Sequence, residues 1–194
     1  GEDGADYDWP VNADGKYSKK NVTVKYSLQN SLNTTAVKWI KKLTVEKSMD
    51  FLKSSFGLPL NSERKISLLS SDEEILGNIA LGYIADGASL TDMAGYYQIF
   101  ANGGKYTAPY TVEKITDSGG KPLYTAAPEE KQVISPKTAY IMNRLLLEVI
   151  SPGATGKNAA VNGVAVGGKT GTTDKNADNW FVGFTPAVTC AVWH

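Results

Sequence analysis

The sequence contains few of the residues from which most catalytic and metal sites are built. Its 194 residues include one cysteine, Cys190, and one histidine, His194 at the last position. A single cysteine excludes a disulfide within the chain, and its setting in Ala-Val-Thr-Cys-Ala-Val-Trp predicts a small core residue on a half-buried strand. With one histidine, a Ser-His-Asp triad is disfavoured and no two histidines can share a metal ion. We therefore expect any catalysis to rely on other residue types.

The chain also lacks an excess of charge of either sign. Twenty basic residues balance 20 acidic ones, so the composition carries no electrostatic signature of nucleic-acid binding and no polybasic membrane patch. No apolar run approaches the ~18 residues that a membrane-spanning helix needs. The first ten residues also lack the charged and apolar regions of a signal peptide. We therefore expect no nucleic-acid partner, and any membrane anchor to lie outside this chain.

The residues that are present predict one α+β domain, or part of one, over residues 1–194. A hydrophobic content of 42% is enough for a real core. Helical spacing and capping signals predict helices over 21–33, 44–57, 89–104 and 135–151. Alternating or apolar runs predict a hairpin over 110–125 and strands over 163–173, 179–185 and 187–193. Helices packed on an antiparallel sheet follow from this order.

The strand that contains Lys169-Thr170-Gly171-Thr172 is the first candidate site. Side chains alternate along a strand, so Lys169 and Gly171 face one way and Thr170 and Thr172 the other. Glycine lets a ligand approach the backbone closely, and lysine and threonine hydroxyls bind carboxylates. Exposed backbone N–H groups can also pair with an extended peptide. The alternative is an ordinary edge strand whose lysine prevents aggregation.

A second short motif, Ser31-Leu32-Asn33, is predicted at the end of the first helix and supplies a hydroxyl and an amide. Ser-x-Asn and Lys-Thr-Gly are two of the three motifs of penicillin-binding proteins and serine β-lactamases. The chain resembles the transpeptidase domain of class A, bifunctional penicillin-binding proteins. The resemblance is collinear and runs through nearly the whole length, in segments from Val22 to Pro186.

The resemblance implies a penicillin-recognising serine acyltransferase fold and a peptidoglycan D,D-transpeptidase that needs no metal or organic cofactor. A serine would attack a D-Ala-D-Ala stem peptide, release D-alanine and pass the acyl group to an amine of a neighbouring strand. The implied partners are a lipid-linked muropeptide, an acceptor glycan strand and inhibitory β-lactam antibiotics. The implied location is the outer face of the cytoplasmic membrane in the cell envelope, with the membrane anchor outside this chain.

The resemblance also implies roles for individual residues. Ser31 would relay a proton to the leaving nitrogen, Asn33 would bind the substrate amide, and Lys169 would supply positive potential. Thr172 would bind the terminal carboxylate, and its backbone N–H would be one donor of an oxyanion hole. The residues expected to form the substrate-binding strand are Thr170, Gly171 and Thr172. Of these, Thr170 would mainly support the strand.

The family's third motif, Ser-x-x-Lys, carries the nucleophile and precedes Ser-x-Asn. Two literal matches, Ser62 to Lys65 and Ser118 to Lys121, both follow Ser31, in a polar connection and in a hairpin turn. A nucleophile needs a neighbouring base that the surrounding structure holds in place, and we do not expect a polar connection or a hairpin turn to provide one. We therefore expect this chain to be the C-terminal portion of the domain, inactive alone, with the Ser-x-x-Lys segment on an upstream fragment.

Two other functions compete with the transpeptidase. A serine β-lactamase would need a Glu-x-x-x-Asn element for the hydrolytic water, and Glu74 to Asn78 matches that spacing, although its surroundings resemble a transpeptidase. Fast hydrolysis of the acyl-enzyme would identify it. A non-catalytic peptide-binding module would keep the strand and lack the nucleophile altogether.

Overall fold

The computed structural model describes residues 9–57, 72–83, 87–173 and 177–194. The helices are α1 (Val24–Gln29), α2 (Asn33–Leu43), α3 (Val45–Phe56), α4 (Asp72–Leu81), α5 (Leu90–Ala101) and α6 (Pro136–Glu148). The strands are β1 (Lys105–Thr107), β2 (Lys114–Thr116), β3 (Pro122–Thr125), β4 (Glu130–Gln132), β5 (Gly167–Thr172), β6 (Asn179–Phe184) and β7 (Thr189–Trp193). A short 3₁₀ helix covers Lys157–Ala159.

Two helices pack on one face of a three-stranded antiparallel sheet with the order β5-β6-β7. Helix α5 contacts β6 and β7, and α6 contacts β5. The buried residues between these layers include Ile99 of α5, Leu146 of α6, and Val182 and Phe184 of β6. Helices α2, α3 and α4 contact one another in a separate group. This is the α+β arrangement, an antiparallel sheet flanked by helices, that the sequence predicts.

Local signals place several helix and strand ends correctly. The Ser89 hydroxyl accepts from the backbone N–H of Asp92 at the start of α5, and Ser135 caps α6 in the same way. Helix α3 ends at Gly57 in the left-handed conformation. Strands β2 and β3 pair through a turn in which the Asp117 carboxylate accepts from the N–H groups of Gly119 and Lys121. The predicted caps and hairpin are confirmed, because each depends on neighbours within a few residues.

The predicted continuous helix over 21–33 is wrong. Helix α1 stops at Gln29, and Ser31 adopts φ 51°, the left-handed conformation that usually requires glycine. The N–H of Leu32 donates to Ser27 O and that of Ser31 to Leu28 O, the two bonds of a Schellman cap. Asn33 then begins α2. Ser31 therefore lies in a tight turn between two helices, and Asn33 opens the second of them.

The prediction for Cys190 is also wrong, because its side chain is exposed. Cys190 lies opposite Gly183 in the sheet, so it shares the face away from the buried Val182. No helix of the described residues covers that face, and Val192 on it is 53% exposed. None of the described helices has the length and hydropathy of a transmembrane segment.

Candidate active site

The Lys169 side chain joins the two sequence motifs in space. Its Nζ donates to Ser31 Oγ at 2.7 Å and to the backbone oxygen of Thr170 at 2.9 Å. The two bonded side chains are 138 positions apart in the sequence. The fold therefore brings the Ser31 hydroxyl within hydrogen-bonding distance of Lys169. Neither motif alone predicts this contact.

The environment of this lysine changes its proton affinity. Burial lowers the pKa of Lys169 from 10.5 to about 8. The ammonium form still predominates at neutral pH, and in that form all its hydrogens are donors. Ser31 Oγ consequently accepts from Lys169, and its own O–H remains available to donate in another direction. A hydroxyl arranged in this way can pass a proton between two partners.

Helix α1 is held in place by α6. Gln29 Nε2 donates to the backbone oxygen of Glu148 at 3.2 Å, and Lys25 Nζ lies 2.8 Å from the Glu148 carboxylate. The hydrogen bond from Lys25 lowers the pKa of Glu148. The N–H of Thr155 donates to Gln29 O at 3.0 Å. Because α6 also packs on β5, these contacts set the turn at Ser31 against the strand that carries Lys169.

Asn33 is held from the other side by the segment before α1. Its Nδ2 donates to the backbone oxygen of Val11 at 2.8 Å. The next residue, Thr34, donates through its backbone N–H and its hydroxyl to Asn12 Oδ1, at 3.1 and 3.2 Å. Asn12 is only 5% exposed and donates in turn to Lys16 O at 2.7 Å. Asn12 was not among the residues predicted for the site, although an asparagine shortly before an Asp-Gly turn is a detectable signal.

The free edge of β5 presents backbone groups to solvent. The N–H of Thr173 donates to Asp178 O at 3.1 Å, toward β6. Successive N–H groups of a strand point to opposite sides, so the N–H groups of Thr172 and Thr170 point away from β6. Within the described ranges, no strand pairs with β5 on that side. The Thr170 and Thr172 N–H groups can therefore donate to the backbone of an extended peptide.

Gly171 leaves open space beside this edge. A Cβ added at Gly171 would meet only Trp180 Cβ, at 3.4 Å. Thr172 on its C-terminal side is exposed, and Lys169 and Thr170 are half-buried. Ser31, Lys169 and the Thr170 carbonyl are thus joined by hydrogen bonds. Asn33 and Thr172 make no direct bond to that group among the residues that the structure describes.

The other motif matches lie away from this group or cannot be placed. Ser118 to Lys121 forms the exposed turn between β2 and β3. Ser62 to Lys65 lies outside the described residues. Asn78 is on α4, whereas the side chain of Glu74 is not described. No described serine besides Ser31 accepts from Lys169.

Comparison with known proteins identifies relatives along the whole chain. Residues 5–193 match the transpeptidase family described as the penicillin binding protein transpeptidase domain. Penicillin-binding protein 1A of Clostridium acetobutylicum is 37% identical over 193 residues, which are 100% of this chain and 22% of that protein. Penicillin-binding protein 4 of Bacillus subtilis is 32% identical over 172 residues, covering 89% of this chain and 26% of that protein. The chain therefore spans about a quarter of the length of these relatives.

Solved structures show the same fold. The D,D-transpeptidase domain of a peptidoglycan glycosyltransferase from Eggerthella lenta has a TM-score of 0.75 at 25% identity, covering 94% of this chain and 50% of that one. Penicillin-binding protein 1A from Haemophilus influenzae has a TM-score of 0.76 at 24% identity, covering 95% of this chain and 31% of that one.

Proposed function

The chain belongs to the penicillin-binding protein transpeptidase family, and on that premise we propose that it forms the C-terminal part of a D,D-transpeptidase domain that cross-links peptidoglycan. Residues 1–194 would supply the Ser-x-Asn and Lys-Thr-Gly parts of the site. The nucleophilic serine would come from a Ser-x-x-Lys segment outside these residues, so the chain alone would not acylate. The observation that carries the proposal is the hydrogen bond from Lys169 Nζ to Ser31 Oγ.

In the first step, the external serine Oγ would attack the carbonyl carbon between the two D-alanines of a stem peptide. An ester C–O bond forms, the peptide C–N bond breaks, and D-alanine leaves as the amine. The proton lost by the nucleophile would reach the leaving nitrogen through the Ser31 hydroxyl, whose oxygen accepts from Lys169. The lysine ammonium would stabilise the negative charge that develops on this path.

The edge of β5 would hold the substrate during that step. The outward N–H of Thr172 would donate to the carbonyl oxygen as it becomes an oxyanion, a device worth ~3 kcal/mol per donor. The Thr172 hydroxyl would bind the terminal carboxylate, Thr170 would support the strand, and Asn33 would bind the substrate amide. In the second step an amine of a neighbouring strand attacks the ester, forming the cross-link and returning the serine.

The partners follow from this chemistry. The donor and acceptor would be a lipid-linked muropeptide and a glycan strand, and β-lactams would acylate the same serine as substrate mimics. The names of the relatives, which are penicillin-binding proteins, support the last point. The reaction would take place at the outer face of the cytoplasmic membrane, with the anchor on another part of the protein.

The test is to incubate the full-length protein with a fluorescent penicillin, denature it, and locate the labelled peptide by mass spectrometry. We expect a stable label on a serine of an upstream Ser-x-x-Lys segment, and loss of the label in Lys169→Ala and Asn33→Ala. Lys137→Ala, at an exposed lysine of α6, is the control and should label normally.

Three outcomes would contradict the proposal in different ways. A label on Ser62 or Ser118 would place the nucleophile within this chain. A label that hydrolyses within seconds would indicate a β-lactamase. No label on the intact protein would favour a non-catalytic peptide-binding module.

A further inference from the structure

A long stretch near the start of the chain carries charge of one sign. Between Gly15 and Val45 the sequence contains seven lysines and no aspartate or glutamate, although the whole chain is neutral. Lys25 pairs with Glu148, whereas four of the other lysines gather around one cavity. An uncompensated cluster of cations attracts anions.

The cavity has a volume of about 600 Å³ and lies between residues 17–22 and helix α2. The four lysines that line it are Lys19, Lys20, Lys38 and Lys42. No acidic side chain lines it, and none of the four lysines has a salt-bridge partner within the described part of the chain. The positive charge is therefore not neutralised by the protein residues described around it.

The arrangement of these lysines is locally unfavourable. Lys38 and Lys42 are four positions apart on α2, a spacing at which like charges repel across one helical turn. Lys19 adopts φ 51°, a left-handed conformation that costs a residue with a Cβ about 1 kcal/mol. Residues in strained backbone conformations cluster at active sites and ligand clamps.

The remaining wall of the cavity is suited to an organic group. Trp39 lines it with half of its surface exposed, and Lys42 Nζ lies 5.5 Å from the centre of its ring. The hydroxyls of Thr34 and Thr35 add hydrogen-bonding groups. Lysine ammonium groups bind phosphate as point charges. We propose that this cavity binds a phosphorylated ligand, with the phosphates on the lysines and an organic ring against Trp39.

The proposal is independent of acyl transfer, since it uses none of the residues assigned to that reaction. Its first test is calorimetric titration of the full-length protein with inorganic pyrophosphate at low and high salt. We expect binding that weakens as salt rises, because exposed charges are screened over about 10 Å at 0.1 M ionic strength. Lys38→Gln/Lys42→Gln should bind roughly tenfold more weakly, from the loss of two charge contacts.

Lys41→Gln/Lys47→Gln is the matched control, because it removes the same charge from exposed lysines of α2 and α3 that do not line the cavity. Its affinity should change by less than about twofold. Equal losses in the two double variants, or no pyrophosphate binding by the wild type at low salt, would overturn the proposal. Melting temperatures of both variants check that the fold is retained.

Two further experiments identify the source of the ligand and test the role of the Trp39 ring. Sedimentation with phosphatidylcholine vesicles, with and without phosphatidylglycerol, distinguishes a lipid headgroup from a free phosphorylated ligand. The proposal is supported if binding to the vesicles, or to the free phosphorylated ligand, depends on Lys38 and Lys42. Trp39→Ala should remove the preference for glucose 1-phosphate over inorganic phosphate, and an unchanged preference would contradict the role of the ring.

Discussion

The two halves of strand β5 use the same residue type for opposite purposes. In the first half, a Cβ added at Gly167 would lie 2.5 Å from the Phe184 ring, and one at Gly168 would lie 2.7 Å from the Phe181 ring. In the second half, a Cβ at Gly171 would meet only Trp180 Cβ at 3.4 Å. Glycine in the first half makes room for neighbouring rings, whereas glycine in the second half leaves space unfilled.

Lys169 lies between these halves and combines their properties. It is buried enough for its pKa to fall to about 8, yet it reaches Ser31 at the edge of the site. If the second half of β5 is a substrate site, changes there should affect acylation without affecting stability. Changes in the first half should lower stability and affect acylation much less.

The largest expected effect is that of Lys169→Ala on acylation. Loss of the buried ammonium should slow labelling of the full-length protein by fluorescent penicillin roughly 10²- to 10³-fold, the range for a preorganised electrostatic group. The melting temperature should change little, because burying the lysine charge is itself unfavourable. Lys137→Ala is the control, and normal labelling of Lys169→Ala would remove this lysine from the mechanism.

The second prediction compares two identical substitutions in the two halves. Gly168→Ala should destabilise the fold by about 1–3 kcal/mol, because the added methyl group meets the Phe181 ring and the Val182 carbonyl. Gly171→Ala should leave stability nearly unchanged and slow penicillin labelling by roughly tenfold, through obstruction of a close backbone approach. Chemical denaturation and labelling rates measure both. Equal stability losses in the two variants would contradict the comparison.

The third prediction concerns the segment that holds Asn33. Asn12→Ala leaves the N–H and hydroxyl of Thr34 without their acceptor and should cost about 1–2 kcal/mol of stability. Labelling should slow several-fold as Asn33 loses its support. Asn12→Asp keeps the oxygen that accepts from Thr34 but buries a charge and loses the donor to Lys16 O, so it should be at least as destabilised as Asn12→Ala. An unchanged labelling rate in Asn12→Ala would contradict the role of Asn12 in holding the segment that contains Asn33.

The smallest expected change is that of the labelling rate between pH 7 and pH 8. If the lysine ammonium is required, the labelling rate should fall by about half at pH 8 and further above it, following the lowered pKa of Lys169. Stability should change in the opposite direction. Between about 8 and 10.5 the unfolded lysine binds more protons than the folded one, so the free energy of unfolding rises with pH there.

Lys169→Met removes the titrating group and serves as the control for the stability measurement. Denaturant titrations across this pH range should show a smaller rise for the variant than for the wild type. A labelling rate that increases through pH 8 would instead indicate that the neutral amine is the active form.

The elements whose signals are local could be predicted from the sequence. The caps at Ser89 and Ser135 and the turn at Gly119 depend on residues within one turn of chain, so the local sequence pattern predicts them. Lys169-Thr170-Gly171 and Ser31-Leu32-Asn33 are also recognisable as motifs in the sequence. Family membership followed from their order along the chain and is confirmed.

How those motifs meet depends on packing between distant segments of the chain. The helix predicted over 21–33 breaks at Ser31 because a Schellman cap and the start of α2 compete with helix propensity there. Cys190 is exposed because its side chain lies on the face of the sheet that no described helix covers. The alternation of side chains along the strand divides them between two faces but does not show which face is covered. The bond from Lys169 to Ser31 and the bonds from Thr34, the residue after Asn33, to Asn12 join segments that sequence spacing cannot relate. Packing of α6 between α1 and β5 brings the first pair together, and burial of Asn12 holds the second.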